Sequence, residues 1–262
     1  MINYHVHTSL CRHATGTIDE YIRAAADAGL HEIGFSDHAP IPLPMREGIT
    51  MEPGEVESYI ALVLASKEKY ADSIDVRLGF EVDYPLFGTF DDKYFSDPRI
   101  DFITGSCHFI GSWAFDHPRE IGEFEKRKID DVYAEYYSIL RAMAETGRFD
   151  IFGHFDLVKK FGHRPVKNFS AAIEGIARVM ARAGTAAEIN TSGLQKPVGE
   201  MYPSEDIVKI LFDCNVPVTI GTDAHAPDNV AFNIAGAIGL LKKTGYRKIS
   251  GFRSRKRYEI AI

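Results

Sequence analysis

Seven short apolar stretches recur along this 262-residue chain, and nearly all of them lead out through a histidine, glutamate or aspartate. Residues 4–7, 32–38, 75–84, 100–106, 149–153, 185–191 and 216–221 are rich in β-branched and aromatic side chains and read as strands. Between them, apolar residues at helical spacing predict helices over 18–28, 56–70, 129–146, 170–183, 204–212 and 229–243. The order is that of seven β-then-α units, and it predicts a parallel sheet with right-handed crossovers. An open sheet would gather its chemistry at one switch point, whereas a closed barrel gathers every strand end around one mouth. Polar residues at the ends of so many strands favour the barrel.

The first strand carries the densest signal. In Tyr4-His5-Val6-His7 the period of two places His5 and His7 on one face and Tyr4 and Val6 on the other. Two imidazoles on one face form half a site for a borderline transition metal, though one such pair alone would suit a solvent-facing edge strand equally well. Repetition decides between the two. His5, His7, His13, His38, Glu81, His108, His154, Asp223 and His225 all fall at or just past expected strand ends. Seven imidazoles and two carboxylates exceed what one tetrahedral zinc ion can take, so the count fits two or three divalent transition metals sharing a carboxylate. Zinc, manganese and iron all accept such a donor set. His31, His117 and His163 lie at a helix end or in loops and are expected at the surface.

Composition removes several alternatives. A net charge of −7 argues against nucleic acid as a partner, because phosphate backbones select basic surfaces. The basic run 253–257 is expected to be a solvated patch. No apolar run reaches membrane-spanning length, and the first residues lack the build of a signal peptide. Three widely spaced cysteines, Cys11, Cys107 and Cys214, make a disulfide framework improbable and point to a reducing cytoplasm. Nothing in the chain marks a domain linker, so residues 1–262 are read as a single domain. No feature fixes an oligomeric state.

Local stop signals agree with this reading. Thr17 and Glu20 fit a capping box, Gly29 and Gly184 end helices, Ser204 is placed to cap another, and residues 257–262 suit a short terminal strand. The stretch with Pro40, Pro42 and Pro44 excludes regular structure. The long aromatic loop 109–128 is expected to cover a site.

These motifs together resemble the PHP (polymerase and histidinol phosphatase) family. The resemblance is carried by His5-Val6-His7, His13, Ser36-Asp37-His38, Gly79-Phe80-Glu81, Gly105-Ser106-Cys107-His108, Gly153-His154-Phe155-Asp156 and Gly221-Thr222-Asp223-Ala224-His225. Cys11-Arg12-His13-Ala14-Thr15-Gly16, Phe149 to Leu157 and Glu188-Ile189-Asn190-Thr191-Ser192-Gly193-Leu194 are similar to the histidinol-phosphate phosphatase branch. The resemblance implies an α/β fold, a distorted (β/α)7 TIM-like barrel with its metal site at the C-terminal ends of the strands. It also implies a trinuclear centre. His5, His7, Glu81 and Asp223 would hold one metal; Glu81 would bridge to a second on His108 and His154; His13, His38 and His225 would hold the third.

The implied activity is hydrolysis of a phosphate monoester, L-histidinol phosphate, by a metal-bridging hydroxide. Asp37 and His225 are the candidates to protonate the leaving alkoxide, and Asp37 is equally suited to orienting a ligand. Lys159, Lys196 and Arg119 lie in loops that can reach a phosphate. Trp113, Phe115, Asp116 and Phe124, with Tyr84, Phe87 and Asp91, are expected to supply stacking and a carboxylate partner for the imidazole and ammonium of that substrate. The rivals are a family phosphoesterase acting on another ester or a nucleotide, an amidohydrolase-type metal hydrolase, and a non-catalytic metal-binding domain. The amidohydrolase pattern often bridges its metals with a lysine, and no lysine ends a strand here.

Overall fold

The computed structural model describes residues 1–42, 45, 48–84, 86 and 90–262, so Pro44 and Phe87 lie outside the described residues. In chain order the elements are β1 (Ile2–Val6), α1 (Ile18–Asp27), β2 (Glu32–Phe35), α2 (Val56–Lys69), β3 (Asp75–Asp83) and β4 (Phe102–Ser106). There follow β5 (Phe109–Ile110), β6 (Trp113–Ala114), α3 (Ile129–Glu145), β7 (Ile151–Phe152), α4 (Ser170–Ala183) and β8 (Ala186–Asn190). The chain ends with α5 (Glu205–Asp213), β9 (Val218–Gly221), α6 (Ile234–Thr244), β10 (Lys248–Arg253) and β11 (Lys256–Ala261).

Seven strands make one parallel sheet in the order β1-β2-β3-β4-β7-β8-β9. A parallel bridge between Val6 and Ala224 brings the first edge against the last, which gives the distorted (β/α)7 barrel. One unit departs from the expected alternation. Between β3 and β4 the described residues hold a 3-10 helix, Asp92–Ser96, in place of an α-helix.

Helices form where an apolar stripe meets a start signal. Thr17 and Glu20 make the reciprocal capping box, and α1 then buries Tyr21, Ile22 and Ala25. Ser204 occupies the N-cap position of α5 without a side-chain bond to the helix. Gly29 follows the C-cap Ala28 at a φ of +76°, and Gly184 is itself a C-cap at +75°.

The N-terminal end of the barrel is filled. The Phe102 ring lies so close to Gly79 that a Cβ there would stand 2.4 Å from it. Tyr4 meets Phe102 edge-on at 5.0 Å. The β10–β11 hairpin lies beneath; of its two strands only the second is expected from the sequence. The Tyr4 hydroxyl donates to Glu32 at 2.6 Å and accepts from the Phe252 amide at 2.8 Å. Arg77, fully buried, donates to Glu32 at 3.2 Å and to Asp75 at 2.9 Å. In the basic run Arg253, Ser254, Lys256 and Arg257 are exposed as expected, and Arg255 is the exception: it pairs with Asp150, donates to the carbonyls of Phe95 and Arg148, and so anchors the hairpin.

Candidate metal centre

The nine expected residues meet at the other end of the barrel, and strand pairing puts them there. The His7 amide donates to the Ala224 carbonyl at 3.0 Å, and the Ala224 amide to the His5 carbonyl at 3.2 Å. This closure sets His5 and His7 beside Asp223 and His225. Beyond β2 the chain keeps company with β3: the Glu81 amide donates to the Asp37 carbonyl at 3.0 Å and the Ala39 amide to the Glu81 carbonyl at 2.8 Å. His38 and Glu81 are therefore neighbours.

Glu81 is the hub. Its Oε2 lies 3.3 Å from His5 Nε2, 3.5 Å from His7 Nε2 and 3.0 Å from His38 Nδ1. Its Oε1 lies 2.9 Å from His154 Nε2 and 3.6 Å from His108 Nε2. The two oxygens of one carboxylate thus face two different sets of imidazoles. Asp223 Oδ1 joins the first set, 3.2 Å from His7 Nε2 and 3.6 Å from His5 Nε2. His13 and His225 face each other through Nε2 at 2.9 Å, on the more open side. Burial falls off outward, from His5, His7, Glu81 and His154 to the exposed His13.

The free nitrogens point inward because the others are tied. Nδ1 of His13 faces the Cys11 carbonyl at 2.7 Å and Nδ1 of His225 the Asp223 carbonyl at 2.9 Å. A carbonyl can only accept, so each Nδ1 carries its proton and Nε2 keeps a lone pair. His5 Nδ1 donates to Glu188 at 2.7 Å and His108 Nδ1 to Asp83 at 2.9 Å. Imidazoles held in this way by a carboxylate or carbonyl are characteristic of metal ligands.

Electrostatics and unpaired atoms agree with a cation-binding role. Burial pushes Glu81 up, but His5, His38, His108 and His154 outweigh it and hold the carboxyl well below its usual range. Burial opposes charge on His5 and His7 as well, yet the surrounding carboxylates raise both well above the ordinary imidazole value. Burial, His38 and His7 lower His13 to about 4, leaving it neutral. Among the described residues Glu81 Oε2, His38 Nδ1 and His154 Nδ1 are buried and make no hydrogen bond of proper geometry, although the first two lie 3.0 Å apart. Leaving such groups unmet costs roughly 1–3 kcal/mol each. Imidazoles and carboxylates converging at these separations match the donor chemistry of divalent transition metals.

Two of the nine sit in strained backbone. His154 and Asp223 have positive φ, +23° and +52°, outside the usual region for residues bearing a Cβ. Each stands two residues past the end of a short strand, and the left-handed step redirects its side chain. His154 is held there by its own amide, which donates to Glu188 Oε2 at 2.7 Å.

Glu188 and Asp83 were not singled out as site residues by sequence reasoning. Glu188 is a lone charge inside the apolar β8, and Asp83 follows Glu81 by two along β3, so both left a trace. Gly221 makes room for Glu188: a Cβ there would stand 1.8 Å from its Oε1.

Asp37 adjoins the cluster without opening on the mouth. It is fully buried, accepts from the Thr8 amide at 2.9 Å and from the Thr8 hydroxyl, and lies 3.6 Å from His7 Nδ1.

The mouth is a cavity of about 440 Å³ lined by His13, His38, His108, His154, Asp223 and His225 together with Asp116, Lys160, Lys196 and Tyr202. His117, half-buried, also lines it. Of the three cations considered, Lys196 lines the cavity, while Lys159 is buried against Asp156 at 2.8 Å and Glu200 at 3.2 Å. Trp113, Phe115 and Phe124 turn inward, with Trp113 packed edge-on against each of the other two, since burying three aromatic rings outweighs leaving them at a wet rim. The loop that bears them holds the β5–β6 hairpin and a 3-10 helix, Pro118–Lys126. No helix among the described residues is long and apolar enough to cross a membrane.

Comparison with known proteins follows this geometry. The family model described as PHP domain matches residues 3–192. A protein of Deinococcus radiodurans named probable histidinol-phosphatase is 40% identical over 256 residues, covering 96% of either chain. The histidinol-phosphatase of Bacillus subtilis is 27% identical over 256 residues, covering 87% of this chain and 94% of its own. A solved structure of histidinol phosphate phosphatase from Lactococcus lactis, in complex with zinc, L-histidinol and phosphate, superposes with a TM-score of 0.84. It shares 23% identity and covers 98% of each chain.

Proposed function

The chain belongs to the PHP domain family, and from that membership we propose that it is a metal-dependent phosphate monoester hydrolase converting L-histidinol phosphate to L-histidinol and phosphate. One observation carries the metal-dependent chemistry: Glu81 directs its two oxygens at separate sets of imidazoles. The named substrate comes from the relatives, whose identity extends over nearly the whole chain.

His5, His7, Glu81 and Asp223 would hold one divalent transition metal. Glu81, His108 and His154 would hold a second, and His13, His38 and His225 a third, with zinc, manganese or iron as the ion. Such ions polarise phosphoryl oxygens, offset the charge of a dianion and bring the pKa of water towards neutrality. The rest is done by the chain's own groups. Glu188 and Asp83 fix the rings of His5 and His108 so that their lone pairs are aimed before substrate arrives. Asp37, engaged by Thr8, braces His7, and its burial sets it apart from the leaving oxygen. His225 lines the mouth, but its Nδ1 proton is held by the Asp223 carbonyl and its Nε2 lone pair would face the third metal, so it serves as a ligand and the leaving alkoxide would take its proton from water at the open mouth. Lys160 and Lys196 bring positive charge to the rim where a phosphate enters.

The test is a phosphatase assay on metal-loaded protein with L-histidinol phosphate, glycerol phosphate and ribose phosphate. The kcat/KM for L-histidinol phosphate should exceed the others by at least ~10²-fold, because simple sugar phosphates offer neither imidazole nor ammonium. Comparable rates on all three would remove the named substrate and leave the phosphatase.

A further inference from the structure

The mouth contains a pair of opposite charges that metal binding does not use. Asp116, on the loop after β6, and Lys160, at the end of the 3-10 helix Leu157–Lys159, lie 2.9 Å apart, and both line the cavity with His108 and His154. Each side chain is about one-fifth exposed, 20% for Asp116 and 18% for Lys160, so the pair is open to a ligand yet largely out of bulk water. Among the described residues, the other two carboxylates lining the cavity are committed: Asp83 accepts from His108, and Asp223 faces His5 and His7. Asp116 alone among them has its charge met by a flexible lysine.

Its placement is firm. Phe115, immediately before it, is fully buried and packs edge-on against Tyr136 of α3 at 5.5 Å. On the other side the His117 amide donates to the Ala114 carbonyl at 3.0 Å. The loop therefore presents one carboxylate at a fixed point, against a lysine able to swing away on its four-carbon stem.

We propose that Asp116 selects the ammonium group of the substrate, displacing Lys160 from the pair, a role that rests on the phosphatase reading above. In L-histidinol phosphate the ammonium stands on the carbon next to the one bearing the ester oxygen. With phosphate gripped at the metal end of the cavity, the ammonium must find its counter-charge close by, on the same wall. Asp116 shares that cavity with His108 and His154, two of the candidate ligands. Exchange of one cation for another keeps the half-buried carboxylate neutralised before and after binding. A phosphate ester without an amine would leave the Asp116–Lys160 pair closed and gain nothing from it.

The experiment compares the metal-loaded parent with Asp116→Asn, which keeps the shape and removes the charge. Kinetics use L-histidinol phosphate and its deamino analogue, 3-(imidazol-4-yl)propyl phosphate, and metal content is measured in both proteins. With metals retained, kcat/KM for L-histidinol phosphate should fall roughly ten- to hundredfold, the scale of a hydrogen bond to a charged group. The deamino ester should change less than about threefold. Equal losses on both esters would overturn the assignment, because a structural role cannot tell them apart. Loss of bound metal in the variant would overturn it too. Calorimetric binding of L-histidinol against 3-(imidazol-4-yl)propan-1-ol repeats the comparison without turnover. A parent that hydrolyses neither ester would end the phosphatase reading, while the two alcohols would still report whether Asp116 prefers the amine.

Discussion

Glu188 Oε1 accepts a hydrogen bond from His5 Nδ1 at 2.7 Å, across a barrel that brings together residues 183 positions apart. Its other oxygen accepts from the amide of His154 at 2.7 Å. One buried carboxylate therefore aims a ring and pins a strained backbone step, and both belong to residues proposed as metal ligands. Glu188→Gln keeps the size and loses the charge, and a side-chain amide offers only one oxygen where two are used. Its zinc affinity should drop by roughly 10–100-fold, the usual effect of removing a partner behind a ligand. Competition with a chromophoric chelator measures it, and an unchanged affinity would reduce Glu188 to packing.

Asp37 gives a second prediction. Because it is buried beneath His7 and tied to Thr8, Asp37→Asn should weaken metal binding and lower kcat/KM by roughly 10–100-fold. The loss should be the same for L-histidinol phosphate and for nitrophenyl phosphate, whose leaving group needs no proton. A loss confined to L-histidinol phosphate, with metals retained, would make Asp37 the proton donor.

The pH dependence of metal binding follows from His108. Burial disfavours its charged ring, but Asp83 and Glu81 prevail and raise its pKa to about 10. The folded value lies above the unfolded value of roughly 6.5. In metal-free protein the ion pair is therefore fully stabilising below about pH 6.5, and that stability is lost as pH rises through about 10. A metal ion must displace this proton, and those on His5 and His7 as well, whose pKa values are also raised despite burial. Zinc binding at pH 7 should release about one proton or more, and its affinity should weaken as pH falls. Calorimetric titration in two buffers of different ionisation heat counts the protons, and identical heats in both would contradict the prediction.

Much of this was local enough to be written in the chain. Strands alternate with period two and helices with period 3.6, so the βα order and the nine strand-end residues could be read in sequence, from His5 to His225. A strand end in a parallel barrel points to the mouth whatever its neighbours are, and this is why those residues converge as expected. What depended on contacts across the barrel could not be read. Whether Asp37 opens on the mouth or lies beneath His7 depends on Thr8 and on the closure of β1 against Ala224. Whether Trp113, Phe115 and Phe124 line the site or fill the core depends on which surfaces they find to bury. Glu188 and Arg255 look like ordinary charges in sequence, and the fold supplies their partners from more than a hundred positions away. Periodicity fixes a side chain's face, whereas its partner is fixed only when the barrel closes.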